Sequence, residues 1–512
     1  MLKTLIYKNM YQDSVKLMLL SQKIKQLDGI NECSAMMATT NNLDILKAVG
    51  LLTEEAELAS PDDIVIVIDA DTQQALEDGE TYAKDDLEGR HRTLRDDDVN
   101  LSVRTIKSAK SVVEGVNIAL ISVPGKYAAE VAYKAIDEGI NPMLFSDNVT
   151  LEEELDLKQR ANEKGLIVMG PDCGTSIISG IGLGFGNKVY SGNVGIIGAS
   201  GTGIQEVVSL LDLNNVGISH GIGTGGRDLN PVIGAISTLK GIEILSADKQ
   251  TEYIVIISKP AEEDILVRIE DALQKSGKTS VIIMVGMDLS KVVSNDRVLY
   301  SDSLKDGVEQ ILRCCINKEY KEENKIFNQN KNYDNLCGLY TGGTLAYEAL
   351  NILSKEPHMK VSSNISFHGI DKAEDVFNLS GNAIIDLGDD KLTAGRAHPM
   401  INPSLRNEVI EKLAHEKEPC AIMLDFVLGY GSNEDPVGAA LPHILKHREI
   451  RREKGYDETI FLSHVCGTKQ DPQGYSNQIE MLAMYDISIF GSNDSMIKYG
   501  LLLTKGGISN EY

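Results

Sequence analysis

The 512 residues hold only seven cysteines, at 33, 173, 314, 315, 337, 420 and 466, and no Cys-X-X-Cys pair. That excludes a disulfide framework and a recognisable zinc site, and it predicts reduced thiols. Cations are scarce as well: 50 Lys and Arg against 75 Asp and Glu leave a formal charge of -25. Nucleic acid is thereby excluded as a partner, because binding a phosphate backbone draws on clustered Lys and Arg. Small anions stay open, since backbone N–H groups hold them without net basic charge. No run reaches the roughly 18 to 20 apolar residues of a membrane span. The opening MLKTLIYKNMYQDS has no apolar signal core with a cleavage site. The expectation is a cytoplasmic chain with no membrane partner.

What is present fits a globular α/β protein: 42% apolar residues, 24% charged residues and 46 glycines. The length suggests about three domains. Short apolar runs at 63–70, 117–124, 165–171, 193–200, 253–259, 280–286, 382–388, 420–429, 460–467 and 487–492 read as strands covered on both faces of mainly parallel sheets. Helical periodicity lies between them, as in KYAAEVAYKAIDEG (126–139). The acidic segment 71–100 reads as surface helix and loop. Boundaries fall near 185, after the glycine-rich GPDCGTSIISGIGLGFG, and near 325, in the polar linker-like stretch 317–335. Three units follow: 1–185, 186–325 and 326–512.

Two strand-to-helix turns carry chemistry. NVGIIGAS runs into GTGIQEVVSLL, which sets Ser200, Gly201, Thr202 and Gly203 at a helix start. CGLY runs into TGGTLAYEALNIL and does the same with Thr341, Gly342, Gly343 and Thr344. Unpaired first-turn N–H groups and the helix dipole favour an anion there, and glycine lets it approach. Each turn is equally well read as a capped helix with glycines for close packing. Two of them, heading successive domains, point to helix ends that share one phosphate-like ligand.

SVPGKYAAEVAYKAIDEGI, GPDCGTS, GNVGIIGASGTGIQEV and SHGIGTGGRDLNP, followed by LYTGGTLAYEAL, IIDLGDDKLTAGRAHPM and LDFVLGYGSNEDP, resemble the FdrA family. That family is a branch of the superfamily of succinyl-CoA synthetase and other acyl-CoA synthetases. The resemblance runs over essentially the whole chain, and it implies a Rossmann-like CoA-binding-type domain followed by two flavodoxin-like, succinyl-CoA synthetase-like domains. The first of these is similar to the ligase domain of the α subunit, the second to the carboxy-terminal domain of the β subunit. In that superfamily two helix N-termini hold the phosphate of a phosphohistidine, and 200–203 and 341–344 match those positions. The matching loop here, MDLSKVVSNDRVLYSDS, has no histidine, the segment matching the supporting glutamate reads ISKPAEE, and no ATP-grasp domain follows. The first 100 residues also lack the glycine-rich turn that grips CoA, so no cofactor is assigned and CoA stays an open possibility.

The resemblance implies a subunit of an oxamate carbamoyltransferase-type complex of ureide catabolism, which interconverts oxalurate plus phosphate with oxamate plus carbamoyl phosphate. The expected partners are carbamoyl phosphate or another acyl phosphate, an oxamate-like small acid and further protein subunits. The alternatives are an acyl-CoA synthetase subunit and a non-catalytic scaffold or sensor. Arg227, in the loop from His220 to Asp228, offers a bidentate grip on a carboxylate or phosphate; a neighbouring acid is its other partner. Arg396 and His398 pair an oxyanion-binding guanidinium with a possible acid or base. His464, Cys466 and Thr468 sit at a strand end, where α/β folds place ligands. Cys173 reads as a buried inert thiol rather than an activated one. His443 and His447 have metal-pair spacing, but their basic run reads as a solvated or partner-facing helix.

Overall fold

The computed structural model describes residues 1–8, 10, 12, 14–48, 50–87, 105–327, 333–357, 359–393, 396–418 and 420–504. The chain divides into two compact units, one of residues 1–103 with 394–397, the other of residues 104–393 with 398–512.

In the first unit, β1 (Leu2–Tyr7), β2 (Ile30–Met37) and β3 (Ile64–Ala70) form a three-stranded sheet in the order β1-β3-β2, antiparallel throughout. Along β3, Ile64, Ile66 and Ile68 face a core with Leu17, Leu20, Ile24 and Leu76, while Val65 and Val67 face another with Leu46 and Ala56. The apolar run is thus unbroken because helices cover both faces. Burial of that kind contributes about 1.5–3 kcal/mol per Val or Ile side chain. Double cover was the basis for expecting parallel strands; here it accompanies antiparallel ones, because hydrophobicity reports cover and not direction.

Parallel pairing begins in the second unit with β4 (Ile118–Ile121) and β5 (Asn141–Leu144). The run 165–171, read as a strand, contributes only a parallel bridge from Met169 to Met143. It cannot continue, because Gly170 at φ 103 and Asp172 at φ 56 turn the backbone away. Next come β6 (Thr175–Ile178), β7 (Ile181–Gly184), β8 (Ser191–Gly198), β9 (Ile218–Gly223), β10 (Tyr253–Ser258), β11 (Thr279–Met284) and β12 (Val298–Ser301). They form a seven-stranded sheet, β12-β11-β10-β8-β9-β6-β7, parallel except at the β6 and β7 edge. The last sheet contains β13 (Asn335–Tyr340), β14 (Val361–Ser363), β15 (Asp371–Lys372), β16 (Asn382–Asp386), β17 (Cys420–Val427), β18 (Ile460–Cys466) and β19 (Ser488–Phe490). Its order is β15-β14-β16-β13-β17-β18-β19 and every pair is parallel. The fold is α/β with mainly parallel sheets.

Two helices lie between these sheets. Gly201–Leu213 is buried from Gly203 to Asp212 without a break, and Gly343–Ser354 is buried on most of its positions. A helix apolar on most sides belongs inside a protein. One core cluster runs from Ile196, Val207 and Leu211 through Leu345 and Leu350 to Met423 and Leu462, so it joins both sheets. The buried polar residues of the first helix are tied to the second sheet's loops: Gln205 donates to Leu428 O at 3.0 Å, and Ser209 donates to Gly467 O at 2.7 Å. From the second helix, Glu348 accepts from Leu304 N at 3.0 Å. The linker-like stretch is also docked, since Lys325 bridges to Ile489.

Candidate anion-binding cleft

Both glycine turns start helices, and the structure brings them together. β8 delivers Ser200 in extended conformation, where its Oγ accepts from Gly203 N at 3.0 Å and caps the helix. Ser200 Oγ also hydrogen-bonds Thr344 Oγ1, and Thr344 N donates to Thr202 Oγ1 at 3.3 Å. The two positive helix ends therefore touch through three hydroxyl side chains.

The ends differ in how their amides are satisfied. Thr341 N and Gly342 N donate to the Asp425 carboxylate at 2.8 and 2.7 Å, with Thr341 Oγ1 at 3.1 Å. Asp425 is fully buried at the end of β17 and ion-paired to buried Arg406 at 3.3 Å. An anion was expected on 341–342, and the protein supplies its own. Among the described residues no side chain caps the amides of Gly201, Thr202 or Gly343. Gly201, Thr202 and Gly343 are only partly buried.

Next to these amides lie His398, which the sequence reading singled out, and two groups that it did not, Asp386 and Lys259. A Cβ on Gly343 would stand 2.7 Å from Asp386 Oδ2, which puts that carboxylate against the helix start. Burial pushes the Asp386 carboxyl up to about 7, against the pull of its hydrogen bond from Gly388 N at 2.9 Å. His398 Nδ1 accepts from Met400 N at 3.2 Å, so the ring proton sits on Nε2. Burial lowers its pKa to about 4, and the ring is neutral at pH 7. A Cβ on Gly388 would meet His398 Nε2 at 2.7 Å, Thr341 O at 3.1 Å and Asp386 Oδ1 at 3.2 Å. The Gly388 backbone is thus held against all three groups, with no room for a side chain. Lys259, exposed at the end of β10, holds its Nζ 4.6 Å from the Tyr347 ring centroid, and its charge interacts with Asp386. Asp386 and Lys259 both end parallel strands, the position at which open α/β sheets present ligand groups. That was their only signal in the sequence.

Other candidates fall elsewhere. Arg227 is ion-paired with buried Glu154 at 2.9 Å and donates to Val149 O at 2.8 Å, with 43% of its side chain exposed. Its acid partner is thus Glu154, while Asp228 pairs with buried Lys158 at 2.8 Å. Arg396 is exposed and belongs with residues 394–397 to the amino-terminal unit, whereas His398 belongs to the other unit. Cys173 is buried, and desolvation pushes its thiol up to about 11, which leaves it protonated. Thr468 is buried and bonded to Lys188 O at 2.5 Å and, through its amide, to Asp471 at 2.7 Å. His443 pairs with Glu411 at 2.5 Å. His447 does not join it: both its nitrogens are bonded inside the core, to Ile410 O and Thr459 Oγ1. The basic helix Pro436–Lys454 is therefore only partly solvated, and buried Arg451 spends its charge on the carbonyls of Glu416 and Asp457.

Residues 339–498 match a family model described as CoA-ligase, and residues 1–100 match one described as AllF, heavy metal-associated domain. Over 498 residues the chain is 38% identical to YahF of Escherichia coli K12, covering 94% of each protein. The chain belongs to the YahF family. It is also 28% identical over 170 residues to the ADP-forming succinate–CoA ligase subunit alpha 2 of Archaeoglobus fulgidus, a match spanning 32% of this chain and 58% of that one. Among solved structures, the apo dinucleotide-forming acetyl-coenzyme A synthetase 1 of Ca. Korarchaeum cryptofilum overlays with a TM-score of 0.34 at 16% identity, over 77% of this chain and 85% of that one. The chain is a member of the succinyl-CoA synthetase/acyl-CoA synthetase superfamily. No described helix is long and apolar enough to cross a membrane.

The heavy-metal description does not fit the residues of the first unit. Its single cysteine, Cys33, lies buried in β2, and burial pushes the thiol up to about 12. Its single histidine, His91, lies outside the described residues. A soft metal needs thiolate or imidazole donors in a set, and the described residues of this unit provide none.

Proposed function

We propose that the chain is the acyl-phosphate-handling subunit of an acyl-CoA synthetase-type enzyme whose nucleotide-using half is a separate chain. The observation that carries this is the junction of the two helix ends, where the amides of Gly201, Thr202 and Gly343 stand uncapped beside Lys259, Asp386 and His398. Such amides with a nearby ammonium suit a phosphate group. The neutral His398 Nε2–H suits an acyl oxygen that gains charge. Attack on the acyl carbon by the thiol of CoA would form the C–S bond and break the C–O bond to phosphate, which leaves into the helix ends. The thiol proton passes to a base, and Asp386, with its carboxyl near neutrality, is the candidate. With no histidine in 287–303, the acyl phosphate is held as a free ligand rather than made from a phosphohistidine in that loop.

A second reading, carbamoyl transfer, is the one implied by the resemblance to the FdrA family. A phosphate oxygen would then attack the carbamoyl carbon of oxalurate, forming carbamoyl phosphate. The C–N bond breaks and the leaving nitrogen takes a proton to give oxamate. The same cleft serves both reactions, because carbamoyl phosphate is itself an acyl phosphate; Arg227 and Arg396 are given no part in it.

Calorimetric titration of the purified chain with acetyl phosphate, carbamoyl phosphate, oxamate, phosphate and CoA decides between them. Binding of an acyl phosphate together with CoA supports the ligase reading. Carbamoyl phosphate and oxamate without CoA supports carbamoyl transfer. Gly201→Val should abolish anion binding in either case, and an unaltered affinity in a folded variant would overturn the shared site. Binding of none of these ligands, even with partner chains present, leaves a scaffold.

A further inference from the structure

A second cluster of reactive side chains lies in the packed layer between the two seven-stranded sheets, apart from the groups assigned to the cleft. The helix Gly201–Leu213 places Glu206 there, and β18 brings His464 and Cys466, two residues apart and so on one face of the strand. Glu206 Oε2 lies 2.6 Å from His464 Nε2, and with Cys466 Sγ the three ligating atoms all lie within 4.8 Å of one another. All three residues are buried.

We propose that Glu206, His464 and Cys466 form a binding site for a divalent ion of the zinc class, held between the two sheets. Nitrogen, oxygen and thiolate sulfur together are the donor set such an ion takes. Bonds of about 2.0–2.3 Å in tetrahedral geometry put ligand atoms roughly 3.3–3.8 Å apart, so the triangle needs the Glu206–His464 edge to open by about 1 Å. The surroundings hold the donors in place. His464 Nδ1 lies 3.0 Å from the carbonyl of Phe490, the bond that fixes the other ring nitrogen toward a metal. The second Glu206 oxygen accepts from Asn493 N at 3.3 Å.

Charge balance permits either state. Without an ion, an imidazolium offsets the Glu206 carboxylate and Cys466 keeps its proton. With a divalent ion, carboxylate and thiolate offset its two charges, and the two displaced protons pass to solvent. The cluster of three ligands, with or without the ion, is neutral in both, which avoids adding a buried net charge. Because the ligands come from one half of the unit and the other, the ion would fasten the two sheets together. This assignment does not rest on the acyl-phosphate reading.

The test uses the full chain. Elemental analysis of protein refolded with excess zinc and then desalted should find about one equivalent per chain, and cobalt(II) should give a thiolate-to-metal band in the near ultraviolet. Cys466→Ala keeps the Glu206–His464 pair and should remove both the cobalt band and the zinc, as should Glu206→Gln. Less than about a tenth of an equivalent in the refolded wild type would overturn the site, since a structural ion of this kind is bound far more tightly than desalting can strip. Zinc retained undiminished by both variants would overturn it as well, because the ion would then lie elsewhere. Neither measurement on the wild type depends on a variant that folds.

Discussion

Replacing Asp425 by alanine would test how the second helix end is closed. The carboxylate accepts from Thr341 N, Gly342 N and Thr341 Oγ1, and it is the ion-pair partner of Arg406. Arg406 is 1% exposed, so its guanidinium cannot turn to water when the partner goes. Breaking a buried pair by removing one member costs about 3–5 kcal/mol. Each buried amide left without an acceptor carries a penalty of about 1–3 kcal/mol of its own. These terms overlap, and a total of about 4 kcal/mol is a large part of the 5–15 kcal/mol that holds a typical domain folded. Urea denaturation followed by circular dichroism measures it. Adding Arg406→Met should recover at least about 1 kcal/mol, because the uncompensated charge is then gone. A loss below about 1 kcal/mol for Asp425→Ala, or strict additivity in the double variant, would refute the reasoning that this helix end is satisfied by a protein carboxylate.

Gly388→Ala puts a methyl group 2.7 Å from His398 Nε2 and should cut acyl-phosphate affinity tenfold or more, equivalent to about 1.4 kcal/mol; calorimetry with an unchanged dissociation constant would exclude that space from the site. Lys259→Met removes the cleft's ammonium and should weaken phosphate binding and flatten its salt dependence while leaving the urea midpoint in place, since the side chain is exposed. His447, held near pKa 4 chiefly by burial, should make the protein acid-labile. The unfolded chain takes up a proton below about 6.5 and the folded chain does not, so this contribution is complete above that pH and is lost as pH falls toward 4. Between pH 6.5 and 5 the loss should be about 2 kcal/mol, and a His447→Gln variant with the same pH slope would assign it to other groups.

The helix starts at Ser200 and Gly342 were readable from the sequence because a glycine turn between an apolar strand and an amphipathic helix is a local signal. Most strands of the two large sheets were readable for the same reason. What escaped was set by distant partners. Asp425 occupies the amides of Thr341 and Gly342 from the far end of β17, and nothing near 341 announces it. Glu154 reaches Arg227 from the helix Leu151–Glu163, so the acid that pairs with it is buried and distant in sequence rather than a neighbour. His447 and Arg451 sit in a run so basic that water seemed their natural surroundings, yet carbonyl oxygens of neighbouring loops take their place. The direction of β1, β2 and β3 was illegible for another reason, because alternating cores on two faces produce the same apolar string in either orientation.

Ser200 and Thr344 meet across the contact between two sheets that one polypeptide threads in succession. Their encounter is therefore unimolecular, with an effective concentration on the order of millimolar or above set by the intervening chain. The cleft should consequently be as complete in a nanomolar solution as in a concentrated one, and its anion affinity should be indifferent to dilution of the protein.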